Sequence, residues 1–127
     1  RPYKGRNGDM QSARYDAGAA KFGEVYPRQA SADPDEVERM AMDNLFSEYW
    51  TRQGLSTRDR RLLILGIVAA QGNDAILKLQ FGAGIAMGDL SESDLTEIPS
   101  FLSQYVGCPL SGGANTAASK VKEGLAN

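Results

Sequence analysis

The sequence predicts an all-α protein. Three observations carry that expectation. Apolar residues recur at helical spacing, Ser, Asn and Asp side chains open those segments, and glycines close them. No segment of any length alternates with the period of two that a half-buried strand requires. With 127 residues, 42% hydrophobic and 24% charged, the chain has the size and composition of an ordinary globular protein, and residues 1–127 read as a single domain.

Residues 1–9 are polar and glycine-bearing and read as a flexible arm. A first helix is expected from about Asp9 to Phe22, and residues 23–32, with Pro27, form a connection. Asp33 is the expected N-cap of the next helix, with Pro34 at its first position and Glu36 three residues after the cap. Val37, Met40, Ala41, Leu45 and Tyr49 supply its apolar face, and it ends between Trp50 and Gly54. Ser56 caps a third helix, with Asp59 three residues on, running from about Thr57 to Ala70 and stopped by Gln71-Gly72. Its second half, Leu62 to Ala70, is apolar on every side and predicts burial all round, as a central helix, an interface or both.

Asn73 caps a fourth helix that ends at Gly88. Gly82 and Gly84 lie inside it, each costing about 1 kcal/mol relative to Ala, so they imply close packing or room for a ligand beside Gln80. Ser91, followed by Asp94, caps a fifth helix with Leu95, Ile98, Leu102 and Tyr105 on one face. Pro99 sits awkwardly in it: either the helix kinks, or a short turn ends and a new helix starts near Ile98. Residues 106–109 break the pattern, and an Ala-rich helix follows from about Gly113 to Leu125.

Composition excludes several chemistries. There is no histidine, and Cys108 is the only cysteine, so the chain forms no internal disulfide and builds no zinc site of its own. Carboxylates alone favour Mg or Ca, and no ordered acidic loop of that kind is present, so no metal and no cofactor is expected. The net charge of −2 and the absence of a basic tract argue against nucleic acid. The longest apolar run is far short of a membrane span, and no signal-peptide pattern opens the chain, so no membrane partner and a cytoplasmic location are expected.

Ordered short matches point to a family. YWTRQGLSTRDRRLLILGIVAA, LKLQFGAGIAMGDLSESDLTEI and YVGCP follow one another between Tyr49 and Pro109. Weaker similarity extends upstream through GAAKFGEVY and DPDEVERMAMDNLFSEYW. In order and spacing these resemble the carboxymuconolactone decarboxylase family, which includes the alkylhydroperoxidase D-like proteins. The resemblance implies an all-α domain around a helical hairpin, assembled as a homo-oligomer, a trimer or a hexamer. It also implies cofactor-free decarboxylation or isomerisation of a small organic acid or lactone, in aromatic catabolism. The family's histidine is replaced here by Gln80, which cannot act as a general base. The paired cysteines of the peroxidase branch fall at Asn73 and Ile76, so a dithiol peroxidase is excluded.

These matches give the candidate site. Glu97 is the expected proton donor or acceptor, or else a solvated Glu complementing a helix N-terminus. Gln80 is the expected hydrogen-bonding partner of the substrate, or else a helix-surface residue. Arg60 is placed to hold a substrate carboxylate, or to pair with a local acid. Trp50, Tyr105 and Cys108 complete the expected lining, each with a packing role as the alternative. The alternative function is a non-catalytic structural or ligand-binding oligomer of the same fold.

Overall fold

A computed structural model describes residues 8–126. The protein is all-α, with no strand among the described residues. Its helices are α1 (Gly8–Val25), α2 (α-helical over Glu36–Met40 and π-helical over Ala41–Tyr49), α3 (Thr57–Gln71), α4 (Asp74–Met87), α5 (Asp94–Val106) and α6 (Cys108–Ala126). The chain divides into two compact units, one ending at Leu55 and the other beginning at Ser56. Of the arm expected over residues 1–9, residues 1–7 lie outside the described residues, and Gly8 and Asp9 already belong to α1.

In the first unit α1 packs on the π-helical part of α2. The approach is so close that a side chain at Gly18 would run into the main-chain carbonyl of Met42. Asp35, not Asp33, caps α2: its carboxylate accepts the Glu38 N–H at 2.8 Å. The main-chain N–H of Asp33 is turned instead to Ser31 Oγ (3.1 Å), and the second Asp of Asp-Pro-Asp supplies the same chemistry two residues on. The inward face of α2 is also a correction. Val37, Met40, Leu45 and Tyr49 stand exposed, whereas Met42, Phe46 and Trp50 join Phe22 and Val25 in the core. The backbone widens at Ala41, and Trp50 N–H bonds back to Leu45 C=O at 3.0 Å, five residues away. Met42, Phe46 and Trp50 keep the same four-residue spacing as Ala41, Leu45 and Tyr49, so spacing alone does not choose the inward stripe. Phe46 meets Phe22 edge-on (5.1 Å, 81°) and lies parallel to Trp50 (5.9 Å, 3°). Asp43 is buried beside this cluster, and neither carboxylate oxygen meets a hydrogen-bond partner among the described residues. Its main-chain carbonyl accepts from Arg14 and Ser47.

The second unit follows its local signals more closely. Ser56 and Asp59 form a reciprocal capping box at the start of α3, which closes at left-handed Gly72. Asn73 Oδ1 then accepts the Ile76 N–H at 3.1 Å to open α4, which closes at left-handed Gly88. α3 and α4 pack side by side across this two-residue link. Leu65, Val68, Ala69, Leu77, Phe81, Leu90 and Leu95 form the core with Ala114, Ala117 and Ala118 of α6. The alanines present a smooth face that lets α6 lie against α4 and α5.

Three expectations change here. α3 is not buried all round: Leu63 and Ile67, one turn apart, are 57% and 58% exposed. Ser91 does not accept as a cap; its N–H and hydroxyl both donate to the Asp94 carboxylate, and α5 begins only at Asp94. α5 is assigned as one helix through buried Pro99. Gly107, at φ 86°, then breaks the chain, and α6 starts at Cys108, well before Gly113. Pro109 falls in the first turn of α6, where its missing N–H costs little. No helix among the described residues is long and apolar enough to cross a membrane.

Candidate functional site

The capping box of α3 fixes where its first turns point. Arg58 and Arg61 are three residues apart and share a face. Both reach the connection between α4 and α5. Arg61 is fully buried; its Nε donates to Asp89 Oδ2 at 3.1 Å and a terminal nitrogen donates to Gln80 Oε1 at 2.8 Å. Arg58 grips Asp94 with both terminal nitrogens, at 2.7 and 3.0 Å, and one of them also donates to the Asp89 carbonyl at 3.0 Å. Gly84 makes the connection compact: its carbonyl accepts the Leu90 N–H at 2.9 Å, and an added Cβ there would overlap the Leu90 side chain. Close packing is thus the reason for Gly84, whereas Gly82 has open space around it.

A cleft of about 370 Å³ opens beside the Arg58–Asp94 pair, between α3 and α5. Leu62, Ile98, Phe101 and Leu102 give it an apolar lining, and Arg58, Asp94 and Glu97 supply its polar groups. Arg58 holds the Asp94 carboxyl down at about 2; burial opposes this, and the two Ser91 donors reinforce it. Asp94 is therefore ionised at neutral pH and has no proton to give.

The structure separates the residues expected to act together. Gln80 is buried and turned to Arg61, and it does not line the cleft. Glu97 is exposed at the cleft, and its carboxylate makes no hydrogen bond or ion pair among the described residues. Arg60 is half-buried on α3 and does not line the cleft. Trp50 belongs to the first unit, stacked on Phe46. Tyr105 is 78% exposed, its ring 5.3 Å from that of Phe101. Cys108 is exposed in a separate shallow depression with Pro99 and three serines.

The residues that build this region are Arg58, Arg61, Asp89 and Asp94, with Phe101 on the cleft wall. The sequence shows of these arginines only that they lie three residues apart and share a face. Which acids they meet cannot be read locally, because the partners lie 28 and 36 residues away. Among the described residues no three Cys, Asp or Glu side chains gather into a group that would hold a metal ion. No family model, curated protein or solved structure matches the chain.

Proposed function

We propose that the chain is a non-catalytic, ligand-binding helical protein of the carboxymuconolactone decarboxylase-like type. It holds a small hydrophobic organic molecule in the cleft between α3 and α5 without turning it over. One observation carries the reading: the cleft is apolar and open to solvent, while Gln80, the residue in place of a catalytic histidine, is held by Arg61 away from it. The family assignment rests on the ordered motifs between Tyr49 and Pro109.

A second reading keeps the enzyme. Glu97 stands at the cleft, unpaired, where it can exchange a proton with a bound acid or lactone. Its weakness is the missing partner: Asp94 is ionised and Gln80 is directed elsewhere. We also propose a homo-oligomer, a trimer or hexamer as the family would have it. The support is Leu63 and Ile67, a solvent-facing apolar stripe one turn long on α3. A cytoplasmic location belongs to the same proposal.

The test is a titration with a neutral probe, 2-phenylethanol, followed by amide and methyl NMR shifts. Shifts centred on Leu62, Ile98 and Leu102, weakened by Phe101→Ala, support the cleft. Turnover of a carboxylated lactone by the wild type, lost in Glu97→Gln, would transfer the conclusion to the enzyme. Light scattering that returns a monomer mass at micromolar concentration removes the oligomer.

A further inference from the structure

We infer that the cleft between α3 and α5 prefers an ammonium-bearing hydrophobic molecule to its carboxylate counterpart. The inference rests on the reading of the cleft as a ligand site and adds the sign of charge that the site selects.

The cleft lining contains one cation and two acids: Arg58, Asp94 and Glu97. The charge of Arg58 is already met by an acid. Its two terminal nitrogens hold the two oxygens of Asp94, and one also holds the Asp89 carbonyl. An incoming carboxylate would share a cation already neutralised by Asp94, which Ser91 anchors from the other side with its N–H and hydroxyl. The start of α5 offers no alternative. The N–H groups of Asp94, Leu95, Thr96 and Glu97 are already bonded to the carbonyls of Ser91, Glu92 and Ser93. Lys122 is also engaged, with its ammonium on Thr96 Oγ1 at 2.6 Å, and it does not line the cleft.

Glu97 is in the opposite condition. It lies three residues after Asp94 and four before Phe101, so the three share one face of α5. Its carboxylate is exposed and unpaired among the described residues. Once Asp94 and Arg58 cancel, Glu97 is the uncompensated charge of the cleft, and it is negative. Phe101, 63% exposed, contributes a ring whose face attracts an ammonium and does nothing for a carboxylate. Leu62, Ile98 and Leu102 receive the hydrocarbon. The volume is at the small end for ligand sites and suits a single ring on a short chain.

Three matched probes test this: 2-phenylethylammonium, 2-phenylethanol and 3-phenylpropanoate, titrated by calorimetry and NMR at pH 7 and low salt. The ammonium should bind about tenfold more tightly than the carboxylate, with the alcohol between them. Glu97→Gln should bring the ammonium down to the affinity of the alcohol. Carboxylate binding as tight as ammonium, or an ammonium preference that survives Glu97→Gln, overturns the inference. If the alcohol binds in the cleft and the ammonium gains nothing, the ligand reading stands and this one falls. If none of the three moves the resonances of Leu62 or Phe101, both fall.

Discussion

Replacing Asp89 by Asn removes one charge from a pair that has almost no contact with water. Arg61 is 0% exposed as a side chain and Asp89 8%, with 3.1 Å between nitrogen and oxygen. At an effective dielectric near 20 the attraction at that distance is roughly 5 kcal/mol. Desolvation of the two groups offsets much of it, so the intact pair contributes little net stability. Asp89→Asn alters that balance, because the guanidinium stays buried with its counter-charge gone. The expected loss is about 3 kcal/mol, at the low end for broken buried pairs because Gln80 still accepts one Arg61 hydrogen bond. With a slope near 1 kcal/mol per molar urea, the midpoint followed by circular dichroism should fall by about 3 M. Adding Arg61→Met to Asp89→Asn should return most of that loss, since the buried charge is then gone. A single-variant shift below about 0.5 M, or a double variant no better than the single, would refute the assignment of Arg61 and Asp89 as a coupled buried pair.

Other outcomes follow from the same packing. The Asp94 carboxyl titrates at about 2 in the folded chain against its ordinary 3.8, so the stability from its pair with Arg58 is complete above about pH 4 and is lost as pH falls through 2. Arg58 is 45% exposed, which discounts the gain to about 1 kcal/mol; acid unfolding of Asp94→Asn should lack that component. Gly18→Ala should separate α1 from α2 and lower stability by about 2–3 kcal/mol, because a rigid main-chain carbonyl occupies the space; an unchanged thermal midpoint would contradict this.

What could be read in the sequence was local. Ser56 with Asp59, Gly72, Asn73 and Gly88 each act within four residues of their own position, and the structure places all of them as expected. Asp33, followed by Pro34 and Glu36, is the cap expected from sequence, whereas Asp35 takes that place. The inward face of α2 is not legible from spacing, because Ala41-Leu45-Tyr49 and Met42-Phe46-Trp50 are neighbouring stripes with one period. At the candidate site the limitation was distance along the chain. Gln80 was singled out as an anomaly, yet its partner Arg61 lies 19 residues away. Arg58, Arg60 and Arg61 look alike in sequence, and only the docking of the α4–α5 connection distinguishes them. Glu97 was identified, and the cleft beside it required the apposition of α3 with α5.

The widened stretch Ala41–Tyr49 also works as a reserve of chain. A helix that closes through five-residue steps carries surplus chain over the same rise. Losing one residue there would remove the surplus chain and let ordinary four-residue closure resume, with the heading beyond it nearly kept. Phe46 and Trp50, four residues apart and now parallel on one side, would share a face under either closure, and the chain would still leave α2 toward Leu55. Single-residue insertions and deletions, usually confined to loops, thus have a place inside a helix here. Their effect is a change in the local width of the helix, not in its heading.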